Sequence, residues 1–151
     1  MKKIFTILIL ILVYGCSGYE PIYSSKGFDF YINEIEISSD DKISQKLIKK
    51  LKPYRIAKNN KQRLDIKIDS VKQIRSIAKN AKGDDTTFEM IIRSRIKIVL
   101  INQPEIDITF EEKFSYNNQE NKFDLKQYQK NIEENLINTI LEKFFIRLRN
   151  L

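Results

Sequence analysis

FEMIIRSRIKIVLI, residues 88–101, sends every second side chain to one side: Phe88, Met90, Ile92, Ile96, Ile98 and Leu100, with Ser94 among them. The other side carries Glu89, Arg93, Arg95 and Lys97, together with Ile91, Val99 and Ile101. A period of two with one apolar side is the signature of a strand that buries one face. Asn102-Gln103-Pro104 then makes a turn. Beyond it Ile106, Ile108, Phe110, Phe114 and Tyr116 alternate with Asp107, Thr109, Glu111, Lys113 and Ser115. Upstream, Lys82-Gly83-Asp84-Asp85 is a second turn signal. It follows a run from Arg63 to Ala78 in which Leu64, Ile66 and Ile68 alternate with charged residues. Val71, Ile74 and Ile77 continue that run with its phase lost. Three such runs joined by two short turns form an antiparallel meander.

The flanks complete the fold. Phe28, Phe30 and Ile32 alternate with Asp29, Tyr31 and Asn33, and Ile35 and Ile37 follow one residue out of phase. That slip predicts a bulge near Asn33-Glu34. Asp40 or Asp41 can cap a helix in which Ile43, Leu47, Ile48 and Leu51 share a face and which Pro53 ends. Lys46, Lys49, Lys50 and Lys52 lie elsewhere around it, and its basic last turn suits the negative end of the helix dipole. Asp124 with Gln127 resembles a capping box. Tyr128, Ile132, Leu136, Ile140, Phe144 and Leu148 then form a stripe, widened by Ile137, Leu141 and Phe145, of a long amphipathic helix. The order is β-α-β-β-β-α. The expected fold is a two-layer α+β sandwich, with a four-stranded, mostly antiparallel sheet covered on its apolar face by two helices.

The start of the chain has a different character. Lys2 and Lys3 precede an almost wholly apolar stretch from Ile4 to Tyr14. It is too short to span a bilayer, which needs about 20 apolar residues, and it suits a signal peptide. It ends at Val13-Tyr14-Gly15-Cys16, the lipobox arrangement of a branched apolar residue, a spacer, a small residue and a cysteine. The expected organisation is a signal peptide over 1–15, a lipidated tether over 16–27 and a folded domain over 28–151. Cys16 would carry a diacylglycerol on sulfur and an acyl chain, palmitate for example, on its new amino group. Each buried methylene contributes about 0.8 kcal/mol, so two or three chains hold the protein on a membrane. Ser17 after the cysteine is compatible with the outer membrane.

Composition closes off other functions. The 151 residues include no His and one Cys. That excludes Ser-His and Cys-His catalysis, an internal disulfide and a thiolate zinc cluster. The four glycines form neither a dinucleotide-binding pattern nor a phosphate loop. No metal and no cofactor are expected beyond the covalent lipid. Losing Lys2 and Lys3 with the signal lowers the formal net charge from +7 to +5. A basic protein in the cytoplasm would point to nucleic acid. Outside it, the anionic partners are lipid head groups and lipopolysaccharide. Acidic pairs occur at Asp40-Asp41, Asp84-Asp85, Glu111-Glu112 and Glu133-Glu134. One can cap a helix, one sits in a turn and two lie on amphipathic elements. Strand neighbours point to opposite faces, so Glu111 and Glu112 make a poor catalytic dyad.

Cys16-Ser17-Gly18-Tyr19-Glu20-Pro21-Ile22-Tyr23 resembles the mature start of the LptE family of lipopolysaccharide-assembly lipoproteins, in its alphaproteobacterial form. Those proteins begin with Cys-Gly, an aromatic residue, any residue, Pro, an aliphatic residue and Tyr. Phe114-Ser115-Tyr116-Asn117-Asn118, with Phe123 and Tyr128 opening the last helix, is similar too, as is the order of elements. The resemblance implies a protein that is not an enzyme. It implies a lipoprotein on the periplasmic face of the outer membrane, plugging an LptD-like β-barrel, aiding its assembly and binding lipopolysaccharide.

Candidate contacts follow. Arg93, Arg95 and Lys97 form a row that could meet lipid A phosphates, or could be a solvated face paired with acids on neighbouring strands. Lys79 and Lys82 flank the first turn and could reach an anion or simply be loop charges. Ile91, Val99 and Ile101 could meet a partner barrel's wall or be singly exposed residues. Tyr19, Pro21 and Tyr23 could seat the tether on a partner or at the lipid interface, or belong to a loose tether. A free-standing lipoprotein that carries or senses a lipid or cell-wall fragment is the competing function.

Overall fold

A computed structural model describes residues 30–38, 41–56 and 62–150. The elements are β1 (Phe30–Ile37), α1 (Lys42–Leu51), a short 3-10 turn (Lys52–Arg55), β2 (Gln62–Lys79), β3 (Asp85–Leu100), β4 (Ile106–Asn117) and α2 (Lys122–Arg149). The sheet order is β1-β2-β3-β4, with β1 parallel to β2 and the other two pairs antiparallel. The crossover that a parallel pair requires is supplied by α1. This is the expected two-layer α+β sandwich with its β-α-β-β-β-α order.

The core lies between the helices and one sheet face. Ile32, Leu64, Ile66, Ile68, Met90, Ile92, Ile96 and Ile98 from the sheet are buried. They pack against Leu47 and Leu51 of α1 and Ile137, Ile140 and Phe144 of α2, also buried. Ser94 interrupts the apolar row of β3 without penalty. It faces Ser70 across the β2–β3 pair, and the two hydroxyls share a hydrogen bond at 3.0 Å. A buried polar group is tolerated when it finds such a partner.

The irregularities have local causes. The register of β1 on β2 slips between Ile32 and Glu34, where the phase change placed it. Asn33 is the extra residue. Its amide donates to Asp65 at 2.8 Å, and its carbonyl accepts from the Arg55 guanidinium at 3.2 Å. Asp41 caps α1, its carboxylate accepting from the amides of Ile43 and Ser44. Pro53 lies in the 3-10 turn that closes that helix. The cap of α2 is corrected: it is Asn121, whose side chain accepts from the Phe123 amide at 2.9 Å. Asp124 lies inside the first turn, where a negative charge suits the positive end of the dipole.

β2 keeps one register on β3 from Leu64 to Ser76, so Ile74 stays in phase with Ile68, opposite Met90, while Val71 falls on the outer face opposite Arg93. The strand runs on to Lys79, with the register shifting around Ala78. β1 pairs with it only as far as Ile68, so the edge from Ser70 onward lies beyond the described part of β1. Every residue from Val71 to Lys79 is exposed. Here β2 is therefore an exposed edge, while Met90 and Ile92 opposite it on β3 stay buried and Lys72 still reaches α2. At the tip of the β2–β3 hairpin Gly83 has φ +89°, a conformation that glycine adopts without the steric cost of a side chain. The Asn80 side chain accepts from the amides of Lys82 and Asp84 to close the turn.

Candidate functional site

The sheet face opposite the helices bears the cationic row. The period-two phase of β3 turns Arg93, Arg95 and Lys97 outward, as their alternation predicts. Arg93 lies directly opposite Glu111 on β4 and donates to it from two nitrogens, Nε at 2.7 Å. Arg95 reaches diagonally to Asp107, with Nε 2.9 Å from each carboxylate oxygen and Nη2 2.5 Å from Oδ2. Lys97 donates to Glu105 at 2.7 Å. The Arg95 hydrogen bond holds the Asp107 carboxyl below the usual range and pushes the guanidinium up.

The two arginines edge a shallow cavity of about 500 Å³, lined also by Asp69, Val71, Asp107 and Thr109. The cavity is therefore zwitterionic. A phosphate entering it must compete with carboxylates already seated on the arginines. Such competition weakens the attraction that a bare arginine row would exert. Asp107 and Glu111 of β4, with Glu105 just before it, supply the counter-charges.

The other expected sites are scattered. Lys79 lies 3.6 Å from Asp85, while the Lys82 side chain stands at the hairpin tip in no ion pair. Ile91 is half-buried, whereas Val99 and Ile101 are exposed, at 45% and 63%. Eight residue steps along the strand, about 27 Å, separate Ile91 from Val99, so the three do not form one apolar patch. Cys16, Tyr19, Pro21 and Tyr23 lie outside the described residues.

The structure also joins charges that sequence spacing alone does not connect. Glu133 of α2 is buried and receives Lys46 of α1 and Lys72 of β2, each at 2.5 Å. Burial alone would raise its pKa, but the two lysine hydrogen bonds outweigh that and hold it below the usual range. Its neighbour Glu134 takes Lys50 at 2.6 Å. Glu112, on the apolar side of β4, is bound by Lys143 of α2. Glu89, buried on the outer face, is bound by Arg75 directly opposite at 2.7 Å. One signal for Glu133 was present in the sequence. It sits four residues before Ile137 and eight before Leu141, on the flank of the apolar stripe, where a bare carboxylate would not stay.

Among the described residues, no group of three or more His, Cys, Asp or Glu could hold a metal ion. No helix among them is long and apolar enough to cross a membrane. The carboxylates that cluster do so with cations, as structural pairs.

The chain is a two-layer α+β domain of a fold also seen in solved bacterial lipoproteins. The chain is similar to the rare lipoprotein B of Shewanella oneidensis, with a TM-score of 0.57 and 13% identity, covering 78% of this chain and 98% of that one. It is similar to an uncharacterized lipoprotein B of Nitrosomonas europaea, with a TM-score of 0.53, 14% identity and coverage of 82% and 88%. A minor lipoprotein of Acinetobacter baumannii aligns with a TM-score of 0.53, 12% identity and coverage of 79% and 90%. At such identities the likeness is one of fold. No protein-family model matches the chain, and no curated protein matches it in sequence.

Proposed function

We propose that this chain is a lipid-anchored lipoprotein of the bacterial envelope whose α+β domain works by binding, not by catalysis. The observation that carries this reading is the pairing of a lipobox ending at Cys16 with a fold like that of several lipoproteins. The absence of His in the sequence and the structural pairing of the acidic clusters support the non-catalytic part. The broad reading is the better supported one, and a free-standing lipoprotein that carries or senses a lipid or cell-wall fragment satisfies it.

The narrower reading is an outer-membrane partner of an LptD-like β-barrel that assists lipopolysaccharide assembly. The resemblance of residues 16–23 and 114–118 to the LptE family supports it. So does the exposed edge of β2 from Val71 to Lys79, a feature that a partner could grip. In that reading Arg93, Arg95, Lys97, Lys79 and Lys82 contact lipopolysaccharide. Lys82, in no ion pair, is the one that can do so without giving up a carboxylate. Tyr19, Pro21, Tyr23, Ile91, Val99 and Ile101 then meet the partner.

Two measurements test these steps. Cys16→Ser should abolish incorporation of labelled fatty acid and release the protein from membranes; undiminished labelling would remove the anchor. Affinity purification from detergent-solubilised membranes should then separate the two roles. A large β-barrel recovered in about equal amount favours the assembly partner. Recovery of the lipoprotein alone favours the free-standing carrier.

A further inference from the structure

The basic surplus of the described domain does not lie on the cationic row of β3, whose charges are matched by β4. It lies on α1 and the turn after it. Between Asp41 and Arg55 there are six basic residues and one acid. Lys46 and Lys50 lean toward α2, where Glu133 and Glu134 take them. Lys42, Lys49 and Lys52 are exposed and in no ion pair. The spacing of Lys42, Gln45, Lys49 and Lys52 by three and four residues sets them along one helix face.

These side chains edge an open groove of about 580 Å³ between α1 and the C-terminal end of β1, with Ile37 and Ile48 in its lining. Ile37 is 38% exposed and Ile48 is half-buried. An apolar floor within a rim of unmatched lysines is the complement of an amphiphile with an anionic head. Lysine stems can lie along the apolar floor while their ammonium groups reach outward.

We propose that α1 and the C-terminal end of β1 dock on the head groups of anionic phospholipids in the leaflet that holds the anchor. Lys42, Lys49 and Lys52 meet the phosphates, and Ile37 and Ile48 face the glycerol-acyl boundary. The proposal rests on the lipid anchor at Cys16, but not on a barrel partner. Geometry permits it. The chain from Cys16 to Phe30 can reach about 50 Å, about twice the length of β1, so the groove at the far end of β1 is within range of the anchor. Each lysine near an anionic surface shifts the docked-to-undocked ratio by about fivefold at low salt, and the three together by about a hundredfold.

The test uses the full lipidated protein in vesicles. Cys16 is the only cysteine of the chain, so Ser38→Cys beside the groove or Ser115→Cys on the far sheet face adds a single reactive thiol for a dye. The vesicles are phosphatidylcholine alone or with phosphatidylglycerol, each carrying a head-group quencher. The Ser38→Cys dye should be quenched strongly only with phosphatidylglycerol, and the Ser115→Cys dye in neither. Adding Lys42→Gln, Lys49→Gln and Lys52→Gln, or raising salt, should abolish the difference. The salt arm needs no lysine variant, so a misfolded triple variant would not spoil the test. Equal quenching in both vesicles, insensitivity to salt, or quenching that needs lipopolysaccharide in place of phosphatidylglycerol would overturn the proposal. Failure of the anchor itself looks different: the protein would leave both vesicles, and Cys16 would take up dye in the parent chain.

Discussion

Glu133 shows how one side chain ties the layers together. Its carboxylate gathers one cation from α1 and one from β2, while its own backbone belongs to α2. Replacing it with Gln keeps the shape but removes the charge that both lysines address. Hydrogen bonds to charged groups contribute about 1.5–3 kcal/mol, and both lysines retain some contact with water, so the expected loss is about 2 kcal/mol at neutral pH. The pH dependence has a definite sign. The folded pKa lies below the unfolded value of about 4.3, so the unfolded chain binds the proton first. The stabilisation is complete above that unfolded value and declines as pH falls toward the folded one. Urea melts of the parent and Glu133→Gln proteins should therefore differ at pH 7 and draw together as pH falls from the unfolded value through the folded one. A difference that persists unchanged into acid would assign the effect to packing. Glu112 marks the limit of what the sequence reveals at this scale. Its place on the apolar side of β4 is legible from alternation. The Lys143 that accounts for it lies on another element, at a distance that only the folded structure closes.

At the level of elements, periodicity located all four strands, both helices and the β1 bulge, because each buries one face and so repeats at its own period. Caps and turns depend on single side chains, and there the outcome divided. Asp41 is the cap of α1, as one of two expected candidates, but the cap of α2 falls at Asn121, three residues before Asp124. Both positions offer a side-chain oxygen. What decides is where the backbone leaves the extended region, and Asn121 is the last extended residue. Asn121→Ala should then cost about 1 kcal/mol, through the loss of its bond to the Phe123 amide. Asp124→Ala should cost less, since it removes only a charge near the dipole, worth about 0.3–1 kcal/mol. Reversal of that order in chemical melts would restore Asp124 as the cap. Element pairing also explains why the cationic row is not a plain anion site. Alternation on β3 displays Arg93, Arg95 and Lys97, but alternation on β4 displays Asp107 and Glu111 on the same face, with Glu105 just before the strand. Reading β3 by itself shows the cations; only the strand register brings the acids to them. Arg93→Glu would set two glutamates opposite each other and destabilise the sheet by about 0.5–1 kcal/mol. Adding Glu111→Arg should restore most of that in the same melt, unless the pair contributes nothing to the fold.

Across the whole molecule, the helical layer and the sheet have unequal reach. α1 and α2 cover the sheet where Leu64, Ile66, Ile68, Met90, Ile92, Ile96 and Ile98 are buried, but β2 runs on through nine exposed residues, Val71 to Lys79, with Lys72 still bonded to α2. Along that stretch β3 pairs on one side, while the described part of β1 gives no partner on the other. Lys72, Lys79 and the register shift near Ala78 are features that discourage another strand from adding to such an edge. Backbone hydrogen bonds with few buried apolar contacts around them open at lower free energy than those in a core. Amides of Arg75 to Lys79 should therefore exchange with solvent at least about a hundredfold faster than those of Leu64 to Ser70. Hydrogen-exchange mass spectrometry on overlapping peptides would resolve the two halves of β2, and a uniform rate along the strand would refute the picture of an exposed edge. The same measurement reaches toward function. If a barrel takes the hairpin, the co-purified complex should slow exchange at residues 71–79 and around Lys82 while leaving Leu64 to Ser70 unchanged. If the domain instead rests on a leaflet through α1, membrane attachment should leave the hairpin amides as fast as in detergent.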